Sequence, residues 1–243
     1  MRIVKADDYQ TWFIEERGYG VLVDPWLDTK LNIESPFFLQ RERRDNSCLS
    51  EEELEQVETV IITAPFIDHL HLPSIKTLND KVKIITTNKV KKILIKNKIP
   101  NPIVCVNNQP IEVGPFKLSA HPAGFPYSWS AFCFFLESIE GKTIFYEGHI
   151  ANIRKLKKLN KKCDVVLITL DKVKFLGIIT LSMGTKDGYK TASLLGSRRI
   201  MTTGTNPNEI KGLIKYFLLT EAADELPNHE FDIYTKKGDE VLI

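Results

Sequence analysis

Thr63-Ala-Pro-Phe-Ile-Asp-His-Leu-His71 is the most informative segment of the chain, because it places possible metal ligands next to apolar residues. It follows a β-type run, Glu58-Thr-Val-Ile-Ile-Thr63, and precedes a helix-like segment that begins near Pro73. Carboxylate oxygens and imidazole nitrogens are common protein ligands of zinc. The sequence of strand, ligand loop and helix therefore makes Asp68 and His69 the first candidates for a metal site.

Composition and charge exclude several classes of function. The chain has 243 residues, of which 43% are hydrophobic and 26% charged, as in ordinary globular proteins. Its 33 basic and 31 acidic residues nearly cancel, so the charge predicts no nucleic-acid partner. No run approaches the roughly 20 apolar residues that span a bilayer, which predicts no membrane partner. The candidate site described below leads us to expect a small-molecule substrate or ligand.

The four cysteines predict a reducing environment. None of Cys48, Cys105, Cys133 and Cys163 forms a Cys-x-x-Cys pair, and two of them lie inside apolar runs. Such residues are typical of small buried thiols, which persist in the cytosol. We therefore expect a cytoplasmic protein, with no disulfide framework and no cysteine metal site.

Strand-like and helix-like segments alternate along the chain without a linker that would separate domains. We therefore predict a single domain over residues 1–243, of mixed α/β class. Runs of strands broken by helices favour two mixed sheets packed face to face, with helices outside. Residues 27–50 lack periodicity and are interpreted as a long loop. Helices are predicted at residues 50–56, 73–78, 89–96, 150–159, 184–195 and 208–222.

Four separated segments resemble the metallo-β-lactamase superfamily, in the branch of the ascorbate-lactonase-like hydrolases. In chain order they are Gly20-Val-Leu-Val-Asp-Pro-Trp-Leu27, the ligand loop at 63–71, Ser119-Ala-His-Pro-Ala-Gly-Phe125 and Ile144-Phe-Tyr-Glu-Gly-His149. The resemblance spans nearly the whole chain. It implies a metallo-β-lactamase-like fold, a four-layer αββα sandwich with the ligand loops at one end. It also implies that Asp24 is a hydrogen-bond acceptor beneath the ligand loop.

The family's ligand pattern is only half present. In the signature T-H-x-H-x-D-H the two leading histidines are replaced by Ala64 and Phe66, and a third histidine is replaced by Phe125. His149 stands where the family has a carboxylate that bridges two metals. A further family histidine has no counterpart in Thr202-Thr-Gly-Thr205. The resemblance thus implies one metal position filled with apolar side chains and a degenerate active site.

The other metal position keeps a coherent ligand set. Asp68, His69 and His149 would supply two nitrogens and one carboxylate oxygen, leaving coordination positions open for water or substrate. A neutral imidazole in place of a bridging carboxylate suits a single ion. We expect one divalent metal, with zinc favoured and iron or manganese as alternatives. The hypothesis is a metal-dependent hydrolase of a small ester, lactone or phosphoester that uses a single metal ion.

The catalytic candidates are Asp68, Glu147 and His71. Glu147 leaves an apolar strand one step before the Gly148-His149 turn, so it could act as a general base or orient a metal ligand. Strand residues alternate faces, so its side chain could equally point away. His71 follows His69 by two residues and could be a ligand or a proton donor; alternatively it packs at the start of the next helix. His121 and His229 are interpreted as loop or surface histidines.

A metal-free alternative remains open from the residues themselves. Asp68 and His69 could form a buried hydrogen-bonded pair, and the chain would then be a catalytically inactive binding or scaffold protein. Phe66 and Phe125 favour this hypothesis, because aromatic side chains make an apolar pocket. We expect these two rings to be buried against each other near Ala64. Other aromatic side chains predicted to line the pocket are Trp26, Tyr127 and Trp129.

Overall fold

The elements of the computed structural model follow the predicted alternation. It describes residues 1–31, 37, 40–43, 45–204, 210–221 and 230–243. The helices are α1 (Glu51–Glu55), α2 (Leu72–Lys76), α3 (Asn88–Lys96), α4 (Ile153–Leu159) and α5 (Thr185–Leu195). The strands are β1 (Arg2–Lys5), β2 (Trp12–Glu16), β3 (Tyr19–Val23), β4 (Lys30–Leu31), β5 (Gln40–Glu42), β6 (Val57–Ile62), β7 (Lys83–Thr86), β8 (Ile103–Cys105), β9 (Ile111–Val113), β10 (Phe116–Pro122), β11 (Phe132–Ser138), β12 (Thr143–Tyr146), β13 (Val165–Thr169), β14 (Lys172–Phe175), β15 (Ile179–Thr180), β16 (Arg199–Thr203), β17 (Ile210–Lys211), β18 (Leu218–Glu221), β19 (Asp232–Tyr234) and β20 (Glu240–Leu242).

Two large mixed sheets form the centre of the fold. In the described part of the chain, each has seven strands, in the orders β20-β1-β2-β3-β6-β7-β8 and β19-β16-β13-β12-β11-β10-β9. In the first sheet β3, β6, β7 and β8 are parallel, while the neighbours on the other side are antiparallel. The second sheet has the same division, with β12, β13, β16 and β19 parallel.

Successive side chains of a strand point to opposite faces of its sheet, and in both sheets apolar side chains occupy both faces. One face of each sheet packs against the other sheet, with Trp12 and Ile14 meeting side chains such as Phe134 and Tyr146. The outer face of the first sheet packs under α2 and α3, and that of the second under α4 and α5. Burial on both faces accounts for the apolar run Val165–Ile168 in the central strand β13. The predicted four-layer αββα sandwich is confirmed.

Local capping chemistry fixes several helix ends where the sequence predicts them. Ser50 and Glu53 form the capping box that starts α1. The Thr87 side chain accepts a hydrogen bond from the backbone of Val90 at the start of α3. Gly196, with φ of +71°, ends α5 in the left-handed conformation that glycine adopts most easily.

The predicted helix at 208–222 is wrong. The described residues there form β17, a short 3-10 helix (Leu213–Phe217) and β18. Strand β18 pairs with β14, so its backbone groups are satisfied by a partner that is distant in sequence. Gly212, with φ of +93°, also separates β17 from the 3-10 helix. Residues 208–209 and 222 of the predicted helix, and His229, lie outside the described residues.

Two small sheets lie beside the sandwich and shape the site. One contains β15, β14 and β18; the other contains β17, β5 and β4. Two strands of the second, β4 and β5, fall within the predicted loop at 27–50, which therefore carries more regular structure than its sequence suggests. None of the helices in the described part of the chain has the length and hydrophobicity that spanning a bilayer requires.

The cysteines are free thiols, as predicted. Cys133 and Cys163 are buried, Cys105 is partly buried and Cys48 is exposed. The expectation of small buried thiols therefore holds for the sandwich but is wrong for Cys48, which lies in the segment just before α1.

Candidate metal centre

Asp24 anchors the ligand loop from below. It follows β3 with φ of +45°, an unusual backbone conformation for a residue other than glycine. Its carboxylate accepts hydrogen bonds from the Thr63 backbone (2.8 Å), the Thr63 hydroxyl (2.6 Å) and the Tyr146 hydroxyl (2.7 Å). The same oxygen, Oδ2, lies 2.7 Å from Nδ1 of His69. All these groups are buried. This carboxylate–imidazole contact orients the ring and favours a proton on Nδ1, which leaves a lone pair on Nε2.

His149 reaches the same point from the other sheet. It follows β12 after Gly148, and the two residues have φ of +93° and +56°. A side chain at Gly148 would place Cβ 2.3 Å from the Phe132 carbonyl oxygen, so only glycine fits this turn. The turn directs the His149 ring inward, where its Nε2 lies 2.5 Å from Nε2 of His69. Residues in sparsely populated backbone conformations cluster at functional sites.

Asp68 completes the group. One ligand atom each from Asp68, His69 and His149 lie within 4.8 Å of one another. The Tyr9 hydroxyl donates to Asp68 Oδ2 at 2.8 Å, and the Gln10 side chain donates to the Asp68 carbonyl at 2.5 Å. The loop after β1 therefore holds Asp68 in position.

The charges of the three groups are strongly interdependent. Burial lowers the pKa of His149 to about 3, and the neighbouring His69 adds to this effect. Burial also opposes the charge on His69, but Asp24 and Asp68 outweigh it and raise the pKa of that ring. For Asp68, burial acts to raise the pKa, yet the two histidines and the Tyr9 hydroxyl outweigh it and lower the value. The arrangement thus favours an ionised Asp68 and a neutral His149.

The donor set fits a single cation. Two imidazole Nε2 atoms that point at each other repel unless a proton or a cation lies between them. Asp68 supplies a nearby negative charge, and Asp24 supplies the second carboxylate that metal-binding histidines commonly contact through their other nitrogen. Two nitrogens and one oxygen suit zinc, or a non-haem iron site of two histidines and one carboxylate.

An apolar cluster lies beside the three groups. It contains Ala64, Ala123 and Ala131, with Phe66 and Tyr127 packed against them. The Tyr127 ring stacks on His149 with centroids 4.4 Å apart, and Phe66 contacts both rings edge-on at 5.5 Å. The expectation that Phe125 would pack here is wrong, because Phe125 is 77% exposed. Tyr127, two residues later in the same loop, provides the aromatic ring instead.

Asp68 and His149 line a cavity of about 570 Å³, whereas His69 is fully buried. Its walls are mostly apolar and aromatic, and they include Tyr9, Arg41, Phe66, Tyr127, Tyr146, Glu147, Val173, Leu181, Ile214 and Leu218. The two small sheets supply much of this wall, through β4 and β5 on one side and β14 and β18 on the other. A largely apolar cavity with a few convergent polar groups is the usual form of a small-molecule site.

Glu147 faces this cavity, as one of the two sequence interpretations expected. Its Oε1 accepts the Thr169 backbone N–H at 2.5 Å, while Oε2 receives no hydrogen bond from the described residues. Burial raises the pKa of Glu147 to about 8. At this pKa the carboxyl group is mostly protonated near pH 7, and the proton falls to the buried Oε2 because Oε1 accepts the Thr169 N–H.

Several other candidates lie away from the cavity. His71 is the residue that precedes α2; its Nδ1 is hydrogen-bonded to the Ser74 hydroxyl at 2.7 Å, and its ring is buried near Trp26. The alternative that His71 packs at the helix start describes this position, and the ring is not among the described residues that line the cavity. Trp26 is fully buried and Trp129 is 94% exposed, so the expectation that they line the pocket is wrong. His121 packs against Phe135 on the second sheet.

Several cavity residues, Tyr9 and Arg41 among them, were not identified from the sequence. Tyr9 lies in a loop with no motif, and Arg41 lies within a charged cluster that suggested a solvated loop. A weak signal exists for Arg41: in Arg41-Glu-Arg43 the arginines alternate with a glutamate, and in a strand both then share one face. The structure buries both arginines and leaves Glu42 partly exposed.

Several solved structures share the fold over the full length of the chain. An isothiocyanate hydrolase from Delia radicum gut bacteria has 16% identity and a TM-score of 0.72, with 100% of this chain and 99% of that chain covered. A possible metal-dependent hydrolase from Veillonella parvula DSM 2008 has 17% identity and a TM-score of 0.74, with the same coverage. Igni18, a novel metallo hydrolase from Ignicoccus hospitalis, has 14% identity and a TM-score of 0.64, with 99% and 97% covered. At these low sequence identities, the similarity shows a shared fold and nothing more.

The sequence itself also matches a known family. No curated protein matches the chain. Residues 5–203, however, match the family described as the beta-lactamase superfamily domain. This range begins at the end of β1 and ends with β16, so it contains the ligand loop, the Asp24 strand and the Gly148-His149 turn. Because the match covers most of the chain, the protein belongs to the beta-lactamase superfamily domain family.

Proposed function

We propose that this protein is a metal-dependent hydrolase of a small ester, lactone or phosphoester, with one divalent ion held by Asp68, His69 and His149. The observation that carries the proposal is the convergence of these three side chains within 4.8 Å, two of them, Asp68 and His149, in the wall of a cavity large enough for a small molecule. Zinc is the favoured ion, with iron and manganese as alternatives. The known hydrolases that share the fold support the reaction class.

Each residue has a separate task in this proposal. Asp24 holds His69 in one orientation, and Tyr9 holds Asp68, so two of the three donors are fixed before any ligand enters. A bound divalent ion would supply a Lewis acid that lowers the pKa of a water molecule to near neutrality. With its pKa raised to about 8, Glu147 is mostly protonated near neutrality, so it gives its proton to the leaving group through Oε2 and takes one up again from water. Tyr127 and Phe66 exclude bulk water from one side of His149.

Elemental analysis tests whether the protein binds a metal ion. Protein purified without an affinity tag that binds metal should contain close to one equivalent of zinc, iron or manganese, or should take it up on reconstitution. Hydrolysis of a panel of p-nitrophenyl esters and phosphodiesters should then follow metal content. The proposal is wrong if the protein holds only a small fraction of an equivalent and reconstitution changes nothing.

A metal-free binding or scaffold protein is the second candidate, favoured by the apolar and aromatic cavity wall. In that case Asp68 and His69 act as structural hydrogen-bonding groups around Asp24. His69→Ala would then lower stability but leave metal content and small-molecule affinity unchanged. A loss of metal together with activity in His69→Ala would support the hydrolase instead.

A further inference from the structure

The cavity beside the candidate metal centre has one part of its wall that carries no ionisable group. Among the described residues that line the cavity, every ionisable one lies before position 150 in the chain. Later segments contribute four aliphatic side chains, from β14, the residue after β15, the 3-10 helix and β18: Val173, Leu181, Ile214 and Leu218. These four residues are called the apolar wall below.

Strand alternation keeps the charges of β14 off the apolar wall. Val173 and Phe175 lie on one face of the small sheet, and Leu218 lies on the same face because it pairs directly opposite Phe175. Lys174 lies on the other face, where its Nζ is 2.6 Å from a carboxylate oxygen of Glu221. The face that borders the cavity is therefore aliphatic, and the ion pair lies on the far side.

Several polar side chains of the cavity are already engaged by the protein. The hydroxyls of Tyr9 and Tyr146 donate to carboxylates of the metal centre. The Ser182 hydroxyl donates to one backbone carbonyl (2.7 Å) and accepts one backbone N–H (3.0 Å). The Arg41 guanidinium lies 3.8 Å from the centroid of the Tyr9 ring and interacts with groups of the protein. Away from the metal donors, a ligand is therefore held mainly by apolar contact.

The charges of the cavity disfavour an ionised ligand of either sign. An anion would meet the carboxyl groups of Asp68 and Glu147, and a cation would meet the guanidinium of Arg41. Burying a charge without a partner is costly, whereas an uncharged aliphatic group gains free energy when it leaves water. The volume of about 570 Å³ falls within the range of about 300–1,000 Å³ that is typical of small-molecule sites.

We propose that the ligand of this cavity is an uncharged ester or lactone with an aliphatic body, which lies against the apolar wall while its carbonyl group reaches the metal donors. The ester or lactone group rests on the proposed hydrolase function and narrows it, because phosphomonoesters and phosphodiesters carry a negative charge. The binding of an uncharged aliphatic body does not rest on that function, since none of the four wall residues is a metal donor.

The first test uses metal-free protein, so that hydrolysis does not contribute. The full chain is treated with chelator, dialysed at pH 7 and titrated by calorimetry with butanamide, hexanamide and octanamide, which differ in chain length alone. We expect octanamide to bind about tenfold more tightly than hexanamide, because each buried methylene contributes about 0.8 kcal/mol, or about fourfold in affinity. Octanoate and octylammonium, with the same chain and a charge, should each bind at least about tenfold more weakly than octanamide.

Substitutions assign the length preference to the apolar wall. Val173→Phe should fill part of the cavity and remove the advantage of octanamide over hexanamide. Ile178→Phe is the matched control, because it adds the same ring at a position that is 84% exposed in the turn after β14, and it should leave the preference intact. Leu218→Ala, which removes part of the wall without adding bulk, should weaken octanamide binding at least about threefold. Circular dichroism checks the folding of each variant.

Three binding results would overturn the inference: equal affinity for the three amides, octanoate or octylammonium bound as tightly as octanamide, or an unchanged preference in folded Val173→Phe and Leu218→Ala. In metal-loaded protein, kcat/KM should be higher for p-nitrophenyl octanoate than for p-nitrophenyl acetate or bis(p-nitrophenyl) phosphate. A preference for the phosphodiester would overturn the substrate class. If the protein holds no metal and hydrolyses none of these compounds while the length preference stands, the hydrolase fails and the apolar ligand site remains.

Discussion

The Nε2 atoms of His69 and His149 lie 2.5 Å apart, although the two residues are 80 positions apart in the chain. His69 belongs to the loop after β6 in one sheet, and His149 to the turn after β12 in the other. The pair therefore joins the two halves of the sandwich at one point. Metal binding and the packing of the sheets should depend on each other.

His149→Ala should remove most of the bound metal. Without this nitrogen only Asp68 and His69 remain, and three protein ligands are usual even in open catalytic zinc sites. We expect metal content to fall to a small fraction of an equivalent and hydrolysis to fall at least about 100-fold. Metal analysis and steady-state kinetics measure both. His121→Ala, a histidine packed on the second sheet, is the matched control and should retain the metal.

Asp24→Asn should weaken both the metal site and the fold. Asp24 Oδ2 receives the Thr63 and Tyr146 hydroxyls and contacts His69, and an amide nitrogen there would face groups that donate. Disrupting such a buried cluster costs about 3–5 kcal/mol of unfolding free energy. Loss of the contact behind a metal-binding histidine typically reduces metal affinity about 10- to 100-fold. Urea denaturation and metal titration measure the two effects; an unchanged variant would show that Asp24 does not position His69.

Phe66→Ala and Phe125→Ala should differ in stability. Phe66 packs in the cluster with Tyr127 and the three alanines, so its removal leaves a cavity and should cost roughly 1–3 kcal/mol. Phe125 is exposed, and its removal should change the unfolding free energy by less than about 0.5 kcal/mol. Denaturant unfolding compares the two variants directly.

Restoring histidines at positions 64, 66 and 125 should not rebuild a second metal position. A histidine at 125 would lie at the exposed position of Phe125 and not against the other two. Metal analysis of the triple variant should therefore show no additional equivalent. A clear gain would mean that the loop carrying Phe125 can turn inward.

Glu147→Gln should separate catalysis from folding. The amide oxygen can still accept the Thr169 N–H, but an amide nitrogen in place of Oε2 can neither give up nor take up the catalytic proton. A correctly placed acid or base contributes about 100-fold or more, so kcat should fall by that factor with the thermal midpoint nearly unchanged.

His71→Ala should have the opposite effect to Glu147→Gln. Its ring is bonded to Ser74 at the start of α2, so the variant should lose stability while the metal-loaded enzyme keeps its kcat. A large loss of kcat in folded His71→Ala would return this residue to the catalytic set.

The free energy of unfolding should increase as the pH is raised above 8, because of Lys5. Burial lowers the pKa of Lys5 to about 8, from 10.5 in the unfolded chain, although its ammonium donates to the Thr202 and Tyr9 carbonyls. Between these values the unfolded chain binds more protons than the folded one, so the penalty present below pH 8 is progressively relieved as pH increases. The full shift corresponds to roughly 3 kcal/mol.

Lys5→Met provides the reference for this measurement, because it keeps an apolar side chain and removes the titrating group. Urea denaturation at pH 7, 8.5 and 10 should show the wild type gaining stability relative to the variant. A constant difference across this range would mean that Lys5 keeps an ordinary pKa in the fold.

Local patterns in the chain were enough to predict much of the fold. The apolar β-runs and the Ser50 capping box act through neighbours in sequence, so their effects can be predicted before the fold is known. The ligand loop identified Asp68 and His69 in the same way, because they follow a strand directly. His149, in contrast, was identified as a possible metal ligand only through the family resemblance, which covers several separated segments.

Contacts between distant segments decided the rest. The pairing of β14 with β18 turned an apparent helix into a strand, since a short apolar run satisfies its backbone equally well in either form. The choice of Tyr127 over Phe125 beside His149 depends on how one loop crosses the end of both sheets. Tyr9 and Arg41 carry no motif, and only the packing of the small sheets against the sandwich brings them to the cavity. The amino-acid sequence thus determined which segments could form strands and which residues could bind a metal. The packing of the two sheets determined which side chains meet at the site. The reason is that the burial and the charge of each site residue depend on neighbours that the order of residues along the chain does not specify.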